Sequence, residues 1–118
     1  NSDVVSIHAP GGSTGPILTD KHFVLMKKNS FLINTARGDV IDELALINAL
    51  KNKVISGAGL DVYLNEPEVP QALISMPNVT LLPHIGSATV ETREAMGMLA
   101  VNNLIAHFSD QNYPSRVV

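Results

Sequence analysis

The chain has 118 residues, a formal net charge of −3, and 45% hydrophobic against 16% charged residues. It is therefore one domain at most, able to bury roughly two thirds of its unfolded surface, with no basic footprint for nucleic acid. It contains no cysteine, which excludes disulfide and thiolate chemistry, and no apolar run long enough to span a membrane, so a cytoplasmic setting is the expectation.

Residues 3–7 form the first expected strand, β-branched at Val4, Val5 and Ile7 and stopped at Pro10, which cannot donate a ladder bond. The chain reads as entering a fold already under way, that is, as part of a larger protein. Residues 11–16 are loop by composition. Thr19 or Asp20 then caps a short helix through Phe23, Leu25 and Met26, closed by Lys27 and Lys28 at the favourable end of its dipole. Phe31, Leu32 and Ile33 form a strand buried on both faces, followed by a polar cluster with Arg37 at the strand's end. Asp42 caps a helix expected to present Leu44, Ile47 and Leu50 on one face.

The third strand is expected over 54–62, where Gly57, Ala58 and Gly59 permit a helix or a ligand to pack closely on the backbone. Prolines make 64–70 irregular, 71–75 can form only a short helix, and a fourth strand over 79–82 stops at Pro83 and His84. A long helix spans about 88–108, capped by Thr89 or Ser87. Its apolar positions form a face wide enough for two packing partners.

Strands alternating with helices or loops predict an α/β fold, a Rossmann-like parallel sheet with right-handed crossovers. Ligands of such sheets sit outside the carboxyl ends of the strands. Every expected strand here ends in polar or glycine-containing sequence, at His8, at 34–38, at Asp61 and at 84–87, so these groups converge on one rim.

Three of them suit the reduction of a 2-oxo acid. Arg37 offers a planar fork that matches a carboxylate and can polarise a neighbouring carbonyl. His84 titrates near neutrality and can exchange a proton with a carbonyl oxygen. Glu66, the nearest carboxylate in sequence, can orient that imidazole and favour its charged form. Each has a structural alternative: Arg37 as a snorkelling or capping side chain, His84 as a cap for the long helix, Glu66 as a solvated loop acid. His22 reads as a surface residue, His107 as a partner of a helix dipole, and His8 as a buried histidine bonded to backbone. No histidine pair has ligand spacing on a helix, so no metal site is expected. Ser87 lacks a hydrolase elbow, the loop at 12–15 lacks a phosphate-loop lysine, and Val62 stands where the last glycine of a dinucleotide fingerprint would be.

Taken together and in this order, His8-Ala-Pro10, Ile33-Asn-Thr-Ala-Arg-Gly38, Gly59-Leu-Asp-Val62, Asn65-Glu-Pro67 and Leu82-Pro-His-Ile-Gly-Ser87 closely resemble the D-isomer-specific 2-hydroxyacid dehydrogenase family. The resemblance implies an NAD- or NADP-dependent reductase of small 2-oxo acids, of the glyoxylate or hydroxypyruvate reductase kind, with Arg37, Glu66 and His84 catalytic. It further implies cofactor contacts from Ala9, Pro10, Thr14, Thr35, Ala36 and Asp61, from Gly86 and Ser87, and from Arg37 and His84 themselves, and it implies a homodimer. The Gly-x-Gly-x-x-Gly turn is absent and the 10–15 loop is shorter and richer in glycine than the family's usual version. The whole chain, 1–118, then corresponds to the second half of a doubly wound dinucleotide-binding domain ending in the long helix and a C-terminal tail, with NAD or NADP preference unreadable. The second reading is a nucleotide-sensing binding protein, like the corepressors related to this family.

Overall fold

The computed structural model describes residues 2–12 and 15–117, in two compact units, 1–85 and 86–118. In the first, β1 (Val4–Ile7), β2 (Phe31–Asn34), β3 (Gly57–Leu60) and β4 (Val79–Leu81) form a wholly parallel sheet in the order β1-β2-β3-β4. Helices α1 (Asp20–Phe23), α2 (Glu43–Lys51) and α3 (Gln71–Ile74) lie in the crossovers, and a 3₁₀ turn, Gly38–Val40, follows β2. Helices α1 and α2 touch each other, as successive right-handed crossovers advancing one way across a sheet require.

Register decides which side chains are covered. Val5, Leu32, Ala58 and Val79 stand in one row and Ile7, Asn34, Leu60 and Leu81 in another. Side chains alternate along a strand, so these rows share a face. Leu32, fully buried, is its centre, and Phe23, Leu46, Leu50, Ile55 and Leu73 pack into the same core.

The third strand is shorter than its sequence suggests. Residues 54–56 instead belong to the exit from α2: Lys53 takes a left-handed backbone (φ 54°) and the Val54 N–H returns to the Ala49 carbonyl at 2.8 Å. The small residues of β3 also serve another purpose than expected. A Cβ on Gly57 would lie 2.5 Å from the Asn78 carbonyl oxygen, so glycine here admits the backbone leading into β4 rather than a helix or ligand.

Helix α2 begins as expected, the Asp42 carboxylate accepting the Ala45 N–H at 3.0 Å, but its buried stripe is Leu46, Ile47, Ala49 and Leu50. Leu44 is 73% exposed. At 3.6 residues per turn the arc centred on Leu46 and Leu50 leaves Leu44 on the opposite side, and the sheet selects that arc.

The second unit is α4 (Val90–Phe108) with the tail after it. The Thr89 hydroxyl caps α4 by accepting the Thr92 N–H at 3.2 Å, and the tail returns to the helix where Asn103 donates to the Ser115 hydroxyl at 2.7 Å and His107 bonds the Tyr113 hydroxyl at 2.9 Å. Met98, Leu99, Leu104, Ile105 and Phe108 are exposed along it. Among the described residues no helix is long and apolar enough to cross a membrane.

The stripe assignment separates two leucines two positions apart. Leu46→Ala is expected to cost about 2–5 kcal/mol and Leu44→Ala no more than about 0.5 kcal/mol, read by urea unfolding. Equal losses at the two sites would show that α2 is rotated about its axis.

Candidate active site

The last row of the sheet brings all four strands to an end at nearly one level, and the ladder runs one residue further. The Asp61 N–H donates to the Asn34 carbonyl at 2.9 Å and the Leu82 N–H to the Leu60 carbonyl at 2.8 Å. Beyond this edge lies an open cleft of about 1020 Å³ whose walls include His8, Ala9, Pro10, Thr35, Ala36, Arg37, Glu66 and His84.

Arg37 is placed by its neighbours' backbone. The Asn34 side chain, 1% exposed, donates from Nδ2 to the Arg37 carbonyl at 2.8 Å and accepts the Ala36 N–H at Oδ1 at 3.0 Å, closing the loop as an Asx-type turn. Gly38 follows at a point of close approach, where a Cβ would stand 2.0 Å from the Tyr63 carbonyl carbon and oxygen. Only glycine lets the strand end carrying Arg37 lie against the segment carrying Glu66. Among the described residues the exposed guanidinium donates once, from Nη1 to the Ala36 carbonyl at 2.7 Å; this bond uses one of an arginine's five donors.

Glu66 and His84, eighteen residues apart, meet directly. Nδ1 of His84 lies 2.6 Å from Oε2 of Glu66, while the other carboxylate oxygen accepts the Tyr63 N–H at 3.0 Å. With Nδ1 turned to Glu66, Nε2 is the ring nitrogen left for another partner. The cap of the long helix is Thr89, and His84 takes a left-handed backbone (φ 53°). The bond from His84 and then that from the Tyr63 N–H hold the Glu66 carboxyl below its ordinary range against the opposing effect of burial, with the charges of His84 and Arg37 adding smaller contributions.

The other expected residues divide. Ala9, Pro10, Thr35 and Ala36 line the cleft with Arg37 and His84. Asp61 is 3% exposed and accepts the Ile85 N–H at Oδ1 at 2.8 Å, anchoring the chain just after His84. Gly86 and Ser87 belong to the second unit, where both are exposed. Thr14 lies outside the described residues. His8 is not the buried histidine expected: it is exposed on the cleft wall, its Nε2 2.9 Å from the Ser6 hydroxyl, because the strand ends before it. His22 is more than a surface residue, since its Nδ1 accepts the Thr19 N–H at 3.1 Å and completes the cap of α1.

The family model described as "D-isomer specific 2-hydroxyacid dehydrogenase, NAD binding domain" matches residues 1–86. The chain belongs to the D-isomer-specific 2-hydroxyacid dehydrogenase family. It is 48% identical over 118 residues to a glyoxylate reductase of Thermococcus litoralis, covering 99% of this chain and 35% of that protein. It is 45% identical over 117 residues to a 2-ketogluconate reductase of Gluconobacter oxydans, covering 98% and 38%. The crystal structure of an NADPH-dependent glyoxylate/hydroxypyruvate reductase from Sinorhizobium meliloti in complex with NADP and malonate superposes with a TM-score of 0.94 at 45% identity, over 98% of this chain and 37% of that one. The chain thus spans little more than a third of the length of the curated relatives it matches. Neither these relatives nor any feature of the cleft favours the nucleotide-sensing binding protein.

For a member of this dehydrogenase family the relevant group is NAD or NADP, and the residues present fit it. One wall of the cleft is built from short side chains and backbone at Ala9, Pro10, Thr35 and Ala36, and the volume suffices for a nucleoside-sized group.

Two contributors have no clear sequence signal or only a faint one. Asn34, directly after a strand and before small polar residues, carries an Asx-turn signal that identifies it in retrospect. Tyr63 carries none, because its hydroxyl partner, the Leu82 carbonyl at 2.8 Å, comes from nineteen residues away.

The lowered Glu66 value fixes a pH dependence of stability. In the window below the ordinary 4.5 the folded chain binds fewer protons than the unfolded one, so the contribution of Glu66 is present above 4.5 and lost as the pH falls through the lowered folded value. Glu66→Gln is expected to destabilise at a pH of about 6 and to converge on the parent as the pH falls below the ordinary 4.5 and through the lowered folded value. A urea-unfolding difference that is constant across that range would show that Glu66 is not stabilised by His84.

Proposed function

We propose that this chain is the second half of the dinucleotide-binding domain of an NAD- or NADP-dependent reductase, and that the whole protein converts a small 2-oxo acid such as glyoxylate or hydroxypyruvate to the D-2-hydroxy acid. The observation that carries this reading is the 2.6 Å pair of Glu66 and His84 on one cleft wall with Arg37. The reductase names of the relatives support it, and so does the malonate in the Sinorhizobium structure, a dicarboxylate held by a close neighbour in fold.

Bound NADPH or NADH supplies the hydride that the carbonyl carbon receives. Arg37 receives the substrate carboxylate on its fork and draws charge toward the carbonyl oxygen. As that oxygen gains negative charge, His84 delivers a proton to it from Nε2, and in the reverse direction takes it back. Glu66 fixes the ring by accepting the Nδ1–H and offsets the charge of the imidazolium. Thr35, Ala36, Ala9 and Pro10, with Asp61 behind them, form the cofactor side of the cleft in this reading, and no metal is required. A cytoplasmic setting suits an enzyme that draws on a pool of reduced dinucleotide.

Two expectations follow for the full-length protein. It oxidises NADH or NADPH in the presence of a panel of 2-oxo acids, and Arg37→Lys, which keeps the charge but loses the fork, lowers kcat/KM on the best of them by about 10- to 100-fold, the worth of a charge-assisted hydrogen bond. Absence of turnover on every acid with either dinucleotide refutes the reading, and an unchanged kcat/KM removes Arg37 from it. The second concerns assembly: the exposed apolar residues of α4 support a homodimer, expected as twice the protomer mass in light scattering at micromolar concentration. A monomer under those conditions refutes it.

A further inference from the structure

We propose that Tyr63 is a positioning residue whose hydroxyl holds the His84 backbone in place through the Leu82 carbonyl. The proposal rests on the reading of His84 as the proton donor.

The segment that carries His84 has little that would order it by itself. Pro83 has no N–H to donate, and His84 sits in the left-handed region (φ 53°), which a side-chain-bearing residue keeps only where its surroundings hold it. Three ties from residues 60–63 do so. The Leu82 N–H goes to the Leu60 carbonyl at 2.8 Å, the Tyr63 hydroxyl donates to the Leu82 carbonyl at 2.8 Å, and the Asp61 carboxylate accepts the Ile85 N–H at 2.8 Å. The middle tie lies nearest His84 on its N-terminal side.

The Tyr63 ring is 7% exposed and belongs to the hydrophobic core, so packing fixes the position of its hydroxyl. That hydroxyl also lies 3.2 Å from the Leu60 carbonyl, which already accepts the Leu82 N–H. With one proton to give, it serves the shorter and less occupied acceptor at Leu82. Burial pushes the hydroxyl's pKa up, and the nearby Asp61 and Glu66 carboxylates add to this against the opposing pull of the Leu82 bond. The group therefore remains a donor at neutral pH. The same residue's backbone N–H holds Glu66, so one residue supports both members of the pair by separable means, the amide on the Glu66 side and the hydroxyl on the His84 side. Phenylalanine keeps the ring and the amide and removes only the hydroxyl.

The test uses the full-length protein and Tyr63→Phe. Amide hydrogen exchange of a peptide spanning 82–85 is expected to rise several-fold while that of the 4–7 strand stays unchanged; equal exchange at 82–85 overturns the proposal whether or not the protein is a reductase. In turnover with a 2-oxo acid, kcat is expected to fall about tenfold, short of the ~10²–10⁴-fold that removal of a general acid costs, with the KM for the dinucleotide within about twofold. In a His84→Gln background Tyr63→Phe should then cost nothing further. A rate loss that persists in that background, or an unchanged kcat in an active enzyme, shows that the hydroxyl does not act through His84. If the parent reduces no 2-oxo acid at all, the enzyme reading fails by itself and the exchange measurement still decides the tie.

Discussion

In a parallel sheet every strand points the same way, and a register that sets Ile7, Asn34, Leu60 and Leu81 side by side ends four strands at one level. Everything chemical in this chain depends on that row. Residues far apart in sequence, His8, Arg37, Glu66 and His84, come out on one rim because the hydrogen-bond ladder leaves each following segment nowhere else to begin. The row is in turn held from one face by Leu32 and its neighbours, so the packing of a hydrophobic core sets the positions of charged groups that never enter it.

Level strand ends are necessary for the site but do not orient it. Orientation comes from short-range polar bonds made where the chain leaves the sheet: the Asn34 amide around Arg37, the Tyr63 N–H on Glu66, and the ties of Leu60, Asp61 and Tyr63 to the stretch around His84. Among the described residues no buried side-chain nitrogen or oxygen lacks a partner. Unmade bonds in a buried setting cost more than made ones contribute, so a loop wired this way has few alternative conformations. The side chains of Arg37, Glu66 and His84 themselves remain exposed at the cleft.

How much of this was legible beforehand varies from residue to residue. Strand and helix order could be read because punctuation is local: Pro10 and Pro83 stop strands, and Asp42 and Thr89 cap helices by bonds within three residues. Arg37 and His84 could be proposed from their places after strands and Glu66 as the nearest carboxylate to pair with His84, but which atoms meet, Oε2 and Nδ1, could not, since that depends on how the 64–70 loop folds. The missed positions share one cause. The local pattern puts Leu44 on the buried face of its helix, residues 54–56 in a strand and His8 in the interior, and in each case it allows a second answer, which the neighbouring element selects.

The sequence by itself determined the α/β alternation, the polar character of every strand end, the family through motifs in a fixed order, and the three residues suited to the chemistry. Those properties reside in residue type and in spacings short enough for the chain's own stereochemistry to enforce. Only the tertiary structure decided that Gly38 brings two strand ends into backbone contact, that Glu66 takes Nδ1 of His84 and leaves Nε2, and that a core tyrosine reaches the carbonyl of Leu82. Each of these is a contact across eighteen or more residues, and its geometry is fixed by packing and register, which no stretch of sequence contains.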